Sequence, residues 1–277
     1  MVDITVKDIV EASGGELLCG DPAATADGFS IDSRTVRPGE FFIAIKGKNY
    51  DSHDFIPEVL EKEAKAVIIG RREAYDFDSP GTSVILVDDT LKAMGTIASR
   101  IRNVSDIPVI AITGTNGKTS VKDMLAHVLS DKYRVLKSRK SYNNIIGLSL
   151  TFFDVDESHD IAIVEIGTNH PGEIAQLSDI ARPEAVIITN IGDGHLEALG
   201  NRENVFREKI SILDFLPGYG VAFLNMDDGF LGKVTSEKVS VKFYGKNPDA
   251  DYRITDMKRK KNGYRFLLNG KEYFLPL

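Results

Sequence analysis

The sequence predicts an α/β protein: a small N-terminal α/β domain over residues 1–88, then a P-loop domain over 89–277 with a mainly parallel sheet and a C-terminal antiparallel meander. Three observations predict it. From Ile107 onward, short β-branched runs alternate with amphipathic stretches, the rhythm of a parallel sheet covered on both faces. Between the first run and the first stretch lies a glycine-rich turn, T-G-T-N-G-K-T at residues 113–119, which opens a helix. After Asp249 the runs alternate with period two around Asn262-Gly263 and Asn269-Gly270, both strong hairpin signals.

Each element has a local reason. Thr5 is placed to cap a short helix that runs through Ala12 and ends at Gly14-Gly15. Strand-like runs follow at 28–31 and 41–45, with Arg37-Pro38-Gly39 as the turn between them. A helix is expected over 55–64, strands over 66–69 and 84–87, and a polar surface loop over 73–82. An amphipathic helix at 90–102 leads to the second domain. There the expected strands are 109–113, 134–137, 161–166, 185–189, 221–224 and 241–244, with helices near 119–130, 172–180 and 203–215. The meander is expected over 252–257, 264–268 and 272–275.

Composition narrows the function classes. At 277 residues, with 42% hydrophobic and 27% charged side chains, the chain reads as two soluble domains. No apolar run approaches the roughly 18 residues of a membrane helix, and the N-terminus lacks the basic start and apolar core of a signal peptide. The single cysteine, Cys19, excludes an internal disulfide and fits a reducing cytoplasm. Net charge is -7, so no global field favours nucleic acid or anionic lipid. A cytoplasmic monomer without nucleic-acid or membrane partners is expected, and any anionic substrate must be held by local cations.

The candidate chemistry centres on the turn. Backbone N–H groups of Gly114, Thr115, Asn116 and Gly117, with the start of the following helix, converge as a phosphate site demands. Lys118 supplies a cation, the Thr119 hydroxyl can ligate Mg²⁺, and Ser120 lies in the same first turn. The form is shortened, G-x-x-G-K-T, because Ile112 stands where the full P-loop pattern has glycine; the other reading is a tight turn with a surface lysine. Glu165 ends a buried-strand pattern, where a carboxylate either holds Mg²⁺ or faces solvent. His195 follows the strand at 185–189 and is expected beside Glu165 and the P-loop, in a metal or phosphate role or as a surface residue.

Lys209 falls on an apolar stripe with Val205, Leu213 and Leu216. It either snorkels to solvent or is held inside a site, where burial lowers its pKa. Reaction with CO₂ would make it an anionic carbamate able to ligate metal. Asn143 and Asn144 follow the second strand and supply amides near the same crevice. In the first domain Asp32-Ser33-Arg34 and Lys46-Gly47-Lys48 suit a diphosphate or are ordinary loop charges. No Cys/His cluster has zinc spacing, and no G-x-S-x-G elbow is present.

Taken together, these residues resemble the Mur ligases, the ATP-dependent amide ligases of peptidoglycan precursor synthesis. The shortened P-loop, E-I-G-T-N-H-P-G-E-I at 165–174, A-R-P-E-A-V-I-I-T-N-I-G at 181–192, H-L-E-A-L-G at 195–200 and Lys209 carry the resemblance. In the first domain I-D-S-R at 31–34, P-G-E-F-F-I-A-I-K-G at 38–47 and S-H-D-F at 52–55 are similar too. The resemblance implies a first domain that binds the UDP end of a UDP-MurNAc-tripeptide near Ser33, Arg34 and Lys46. It implies a central domain that binds ATP, with Lys118, Asn143 and Asn144 at the nucleotide, Thr119 and Glu165 on one Mg²⁺, and His195 and a carbamylated Lys209 serving a second. Lys118, His195 and Lys209 are then the catalytic set, and D-Ala-D-Ala the second substrate. The family usually shows Gly at Ser52 and Pro at Ser149. It also continues into a third domain that closes over ATP, so this chain alone is expected to be inactive. Two other readings remain: a nucleotide- and UDP-sugar-binding module without ligation, and a ligase for another amino acid or peptide.

Overall fold

The structure, a computed structural model, describes residues 3–72 and 81–276; most of the surface loop expected over 73–82 lies outside them. In chain order the elements begin with α1 (Val6–Ser13), β1 (Glu16–Cys19), β2 (Phe29–Ser30), β3 (Phe41–Ile43), α2 (Ile56–Glu61), β4 (Ala66–Ile69), β5 (Ser83–Leu86) and α3 (Thr90–Ser105). Next come β6 (Val109–Thr113), α4 (Lys118–Leu129), β7 (Val135–Lys137), α5 (Ile145–Phe153), β8 (Ile161–Glu165), α6 (Glu173–Ala181) and β9 (Ala185–Ile188). The rest are α7 (Leu196–Leu199), α8 (Arg202–Ile210), β10 (Val221–Asn225), β11 (Ser240–Gly245), β12 (Tyr252–Lys260), β13 (Gly263–Leu268) and β14 (Lys271–Pro276).

The chain folds into two compact units. One runs up to Ile107 and takes in Asn144–Asp160; the other holds Pro108–Asn143 and everything from Ile161 on. This differs from a division at residue 88. The stripe Ala93, Met94, Ile97, Ala98 and Ile101 of α3 is buried in the first unit, where α3 packs on α1 and α5. No helix is expected between 130 and 172 from the sequence; the structure has α5 there, which Asn144 caps by accepting the Gly147 N–H at 2.9 Å.

In the first unit five strands run in the order β1-β5-β4-β3-β2, parallel except for β1, an antiparallel edge strand absent from the sequence reading. The expected cap of α1 forms as a capping box, in which Thr5 accepts the Asp8 N–H and Asp8 accepts the Thr5 N–H. Gly14, at φ +68, ends the helix. Phe42, Val67 and Ile69 of the sheet pack with Ile56 and Val59 of α2. That helix is shorter than expected: a 3-10 turn covers Ser52–Phe55, and Glu63 at φ +58 turns the chain away. Phe153 of α5 stacks on Phe29 of β2 with ring centroids 4.2 Å apart.

In the second unit nine strands run in the order β14-β13-β12-β11-β10-β9-β6-β8-β7. Those from β7 to β12 pair in parallel, and β12, β13 and β14 form the antiparallel meander. Val121, Leu125 and Leu129 of α4 pack with Ile112, Ile163 and Ile187 of the sheet, so the helix after the turn is fixed to the strand before it. The helix expected over 203–215 is α8 followed by a 3-10 turn at Ser211–Phe215. No helix among the described residues is long and apolar enough to cross a membrane.

The two hairpin turns differ from each other. Asn269 and Gly270 have φ +48 and +82, the pair of positive values that a type I′ turn requires. The other turn is Lys261-Asn262 and not Asn262-Gly263, because Lys260 already pairs with Gly263. Gly263 serves close packing instead: at φ +151, a Cβ there would lie 2.1 Å from the Leu275 carbonyl oxygen. Gly263→Ala is therefore expected to destabilise the chain by about 2–3 kcal/mol or more, through strain and a forced shift of β14. Gly270→Asn, with nothing within 4 Å of the added Cβ, is expected to cost under about 1 kcal/mol. Urea unfolding of the two variants checks the order.

Candidate active site

The site is built where the parallel strands end. β6 stops at buried Thr113, and Gly114 takes φ +139, where a Cβ would lie 2.0 Å from Thr189 Oγ1. Gly117, at φ +81, stands at the N-terminus of α4 and offers no side-chain cap, which leaves the first N–H groups of the helix free for a ligand. The loop is strapped to the end of the neighbouring strand β9. Asn190 accepts the Asn116 N–H at 3.1 Å and donates to the Asn116 carbonyl at 3.0 Å, while its own carbonyl accepts the Thr115 N–H at 2.9 Å. Thr189 Oγ1 donates to the Asn116 carbonyl at 2.6 Å, and Thr115 Oγ1 accepts the Gly192 N–H at 2.8 Å. Sequence reading missed Thr189 and Asn190; their signal was a position at the carboxyl end of the strand beside β6.

Glu165 is 1% exposed, so it is not a solvent-facing strand end. Its two oxygens are divided between two donors: Thr119 Oγ1 reaches Oε2 at 2.7 Å, and Asn143 Nδ2 reaches Oε1 at 3.0 Å. Gly167 permits this, since a Cβ there would lie 2.7 Å from Asn143 Cγ. Lys118 donates to the carbonyls of Gly114 at 2.9 Å and Thr115 at 3.2 Å. Burial lowers its pKa, with the Glu165 charge partly offsetting the shift. Ser120 is exposed in the first turn of α4.

Lys209 does not snorkel. It is 1% exposed on α8 and makes no hydrogen bond or ion pair among the described residues. Burial first, and the Lys118 cation second, lower its pKa to about 8, against an opposing pull from Glu208. Glu208 itself accepts the N–H groups of Gly172 and Ile174, both at 2.9 Å, which ties α8 to the start of α6. His195 is exposed at φ +60, beginning α7, and partial desolvation with Lys209 and Lys118 nearby lowers its pKa. The charged groups that act on it are Lys209, Lys118 and Glu173, not Glu165. No group of three His, Cys, Asp or Glu side chains able to hold a metal is found among the described residues. The available oxygens, one carboxylate and one hydroxyl, instead suit Mg²⁺, which takes few protein ligands and shares substrate phosphates.

The first-unit candidates are placed separately. Asn144 belongs there, as the cap of α5. Arg34 is exposed and holds Asp32 through Nε at 2.8 Å and Nη2 at 2.6 Å. This bidentate contact holds the Asp32 carboxyl down at about 2. Ser33 is buried, and its carbonyl and that of Arg34 accept Lys62 Nζ at 2.5 and 3.0 Å. Lys46 is exposed after β3, and its backbone forms an isolated antiparallel β-bridge with that of Asp51. The loop between them rests on buried His53, which meets Asp51 at 2.5 Å through Nδ1 and accepts the Gly70 N–H at 2.8 Å through Nε2.

A glycine turn between strand and helix, a lysine and hydroxyl opening that helix, and a carboxylate at the end of the neighbouring strand β8 define a P-loop protein of the phosphate-binding α/β class. Within that class the chain belongs to the Mur ligase family. Its residues 112–277 match the Mur ligase middle domain, and 25–102 match the Mur ligase family, catalytic domain. It is 36% identical over 280 residues to the UDP-N-acetylmuramoyl-tripeptide–D-alanyl-D-alanine ligase of Bacillus subtilis, which covers 100% of this chain and 60% of that protein. MurF from Acinetobacter baumannii matches the structure with a TM-score of 0.89 at 27% identity, over 99% of this chain and 60% of that one. MurF ligase from Thermotoga maritima, solved in complex with ADP, matches with a TM-score of 0.80 at 29% identity, over 90% and 57%. The chain thus spans about 60% of the length of the Bacillus subtilis relative.

A pH test addresses Lys209. With a folded pKa of about 8, its buried ammonium destabilises the fold below that pH. The penalty fades as pH rises from about 8 to the ordinary lysine range, where the folded side chain is neutral and the unfolded one still holds its proton. In CO₂-free buffer, Lys209→Met is expected to raise Tm most below pH 8, with the gain shrinking above it. A gain that is flat or grows with pH contradicts the assignment.

Proposed function

We propose that this chain is the substrate- and ATP-binding part of an ATP-dependent amide ligase that joins D-alanyl-D-alanine to a UDP-MurNAc-tripeptide. The observation that carries the reading is the P-loop carboxylate arrangement, Thr119 and Asn143 on the two oxygens of buried Glu165. The name of the Bacillus subtilis relative and the ADP complex of the Thermotoga maritima structure support the substrates and the nucleotide. They favour the dipeptide over another amino acid.

The chemistry proceeds in two steps. A carboxylate oxygen of the tripeptide attacks the γ-phosphorus of ATP, the bond to the β,γ-bridging oxygen breaks, and ADP leaves. The amine of D-Ala-D-Ala then attacks the carbonyl of the acyl phosphate, expels phosphate and loses a proton. Both steps build negative charge on phosphate oxygens, which positioned cations stabilise. Lys118 lies at the loop that holds those oxygens, and the unpaired N–H groups at the start of α4 point the same way. Mg²⁺, held by Thr119 and Glu165, supplies further charge neutralisation when bound. The ammonium groups of Lys118 and Lys209 suit a triphosphate but oppose a second cation, and they help keep the His195 imidazole neutral. Lys209 as a neutral amine can add to CO₂, losing one proton and forming a carbamate that reverses its charge. Its pKa near 8 and its lack of a hydrogen-bond or ion-pair partner among the described residues favour that conversion. In the first unit, Ser33, Arg34 and Lys46 take the UDP end, with Arg34 released from Asp32 to reach a diphosphate. A cytoplasmic monomer fits this reading.

The decisive assay is phosphate release by the full-length gene product with ATP, Mg²⁺, UDP-MurNAc-tripeptide and D-Ala-D-Ala. Release that requires all four is expected, and none at all rejects the ligase. Lys209→Ala is expected to abolish turnover, by about 100-fold or more, with no rescue by bicarbonate. Turnover near the parent level rejects the carbamate.

A further inference from the structure

Lys122 is a buried cation that the reaction described above does not use. It lies on α4, three residues after Thr119 and four after Lys118, and is 0% exposed. Its neighbours on the helix, Val121, Leu125 and Ala126, pack into the apolar core. An ammonium there is costly to desolvate, and an apolar side chain of similar volume generally does as well or better for stability. Asp123 offers only a distant contact, at 3.8 Å, and its own carboxylate is taken by Lys137 at 2.8 Å. The charge of Lys122 is directed elsewhere: Nζ donates to the Ser138 carbonyl at 2.8 Å and to the Lys140 carbonyl at 2.5 Å.

Those carbonyls belong to the turn that leads from β7 to Asn143. Lys140 sits at φ +49, a left-handed conformation that a lysine does not adopt without compensation. The turn runs beside β8. The Ser138 N–H donates to Ile163 and Ser138 Oγ accepts the Glu165 N–H at 3.3 Å. Asn143 Nδ2 binds Glu165 Oε1, and the Asn143 carbonyl accepts the Gly167 N–H at 2.8 Å. Glu165 is therefore held by two groups with one common reference. Thr119 comes from α4 directly, and Asn143 comes from a turn that α4 grips through Lys122.

We propose that Lys122 is a positioning residue for the nucleotide–Mg²⁺ site: it fixes the turn carrying Asn143 against α4, so that Glu165 is presented to the cation in one orientation. The assignment rests on the P-loop nucleotide reading above. It predicts a defect confined to the metal-dependent part of binding. ADP affinity of the full chain, measured by calorimetry in EDTA, is expected to be unchanged within about twofold in Lys122→Met, and in Mg²⁺ to weaken by about tenfold or more. An affinity in Mg²⁺ within about twofold of the parent overturns the assignment, as does an equal loss in both buffers, which marks a purely structural lysine. Lys122→Gln, neutral but still a donor, carries the same comparison if the methionine variant does not fold. Loss of the fold in both variants overturns the assignment too. A parent chain that binds ADP in neither buffer instead rejects the nucleotide reading itself.

Discussion

A carboxylate with almost no access to water must find donors for its lone pairs, and Glu165 finds them on two different elements. Thr119 on α4 and Asn143 on the turn after β7 take one oxygen each, while Ser138 receives the backbone N–H. A buried, half-satisfied charge costs several kcal/mol, so the helix, the turn and strand β8 cannot drift independently. The P-loop inherits this rigidity. Its far side is strapped to the end of β9 by Thr189 and Asn190, so the loop backbone is pre-formed between two strands.

Electrostatics then separates the two units. In the second, burial is the first cause that lowers the proton affinity of Lys118, Lys209 and His195; the Lys118 cation adds to it at Lys209, and both lysines add to it at His195. A chain of net charge -7 thereby keeps a local excess of cationic groups where an anion is expected to bind. In the first unit the same residue types are arranged differently. Arg34 is neutralised by Asp32 within its own turn, at the surface, where such pairs contribute little to stability. What organises that region is buried: His53 between Asp51 and the Gly70 N–H, and Lys62 under the Ser33-Arg34 carbonyls.

Much of this was legible locally. The β-branched run at 109–113, the Thr5 cap, the glycine turn and Asn269-Gly270 each act over a few consecutive residues, and each forms as read. Errors came where packing outvoted local pattern. α5 follows Asn144 because an almost wholly apolar helix is stabilised by burial against α3, which the Asn144 cap by itself does not announce. β1 is half-buried and gains its strand character from pairing with β5. Gly263 marks a close approach by β14 and not a turn, a distinction set by a strand that comes later in the chain.

The sequence by itself determined the types of group and their order: a phosphate loop with its lysine and hydroxyl, a strand-end carboxylate, a lysine on an apolar stripe, and a parallel sheet ending in a meander. These follow from short-range sterics and from hydrophobic period. Only the tertiary structure decided burial and partnership. It made Glu165 an inward carboxylate, buried Lys209 with no hydrogen-bond or ion-pair partner among the described residues, set Asn190 against the loop and turned Lys122 toward the carbonyls behind Asn143. The reason is physical: whether a charged side chain is solvated, paired or stranded depends on groups tens of residues away, and desolvation, unlike helix or turn preference, leaves no mark on the residues beside it.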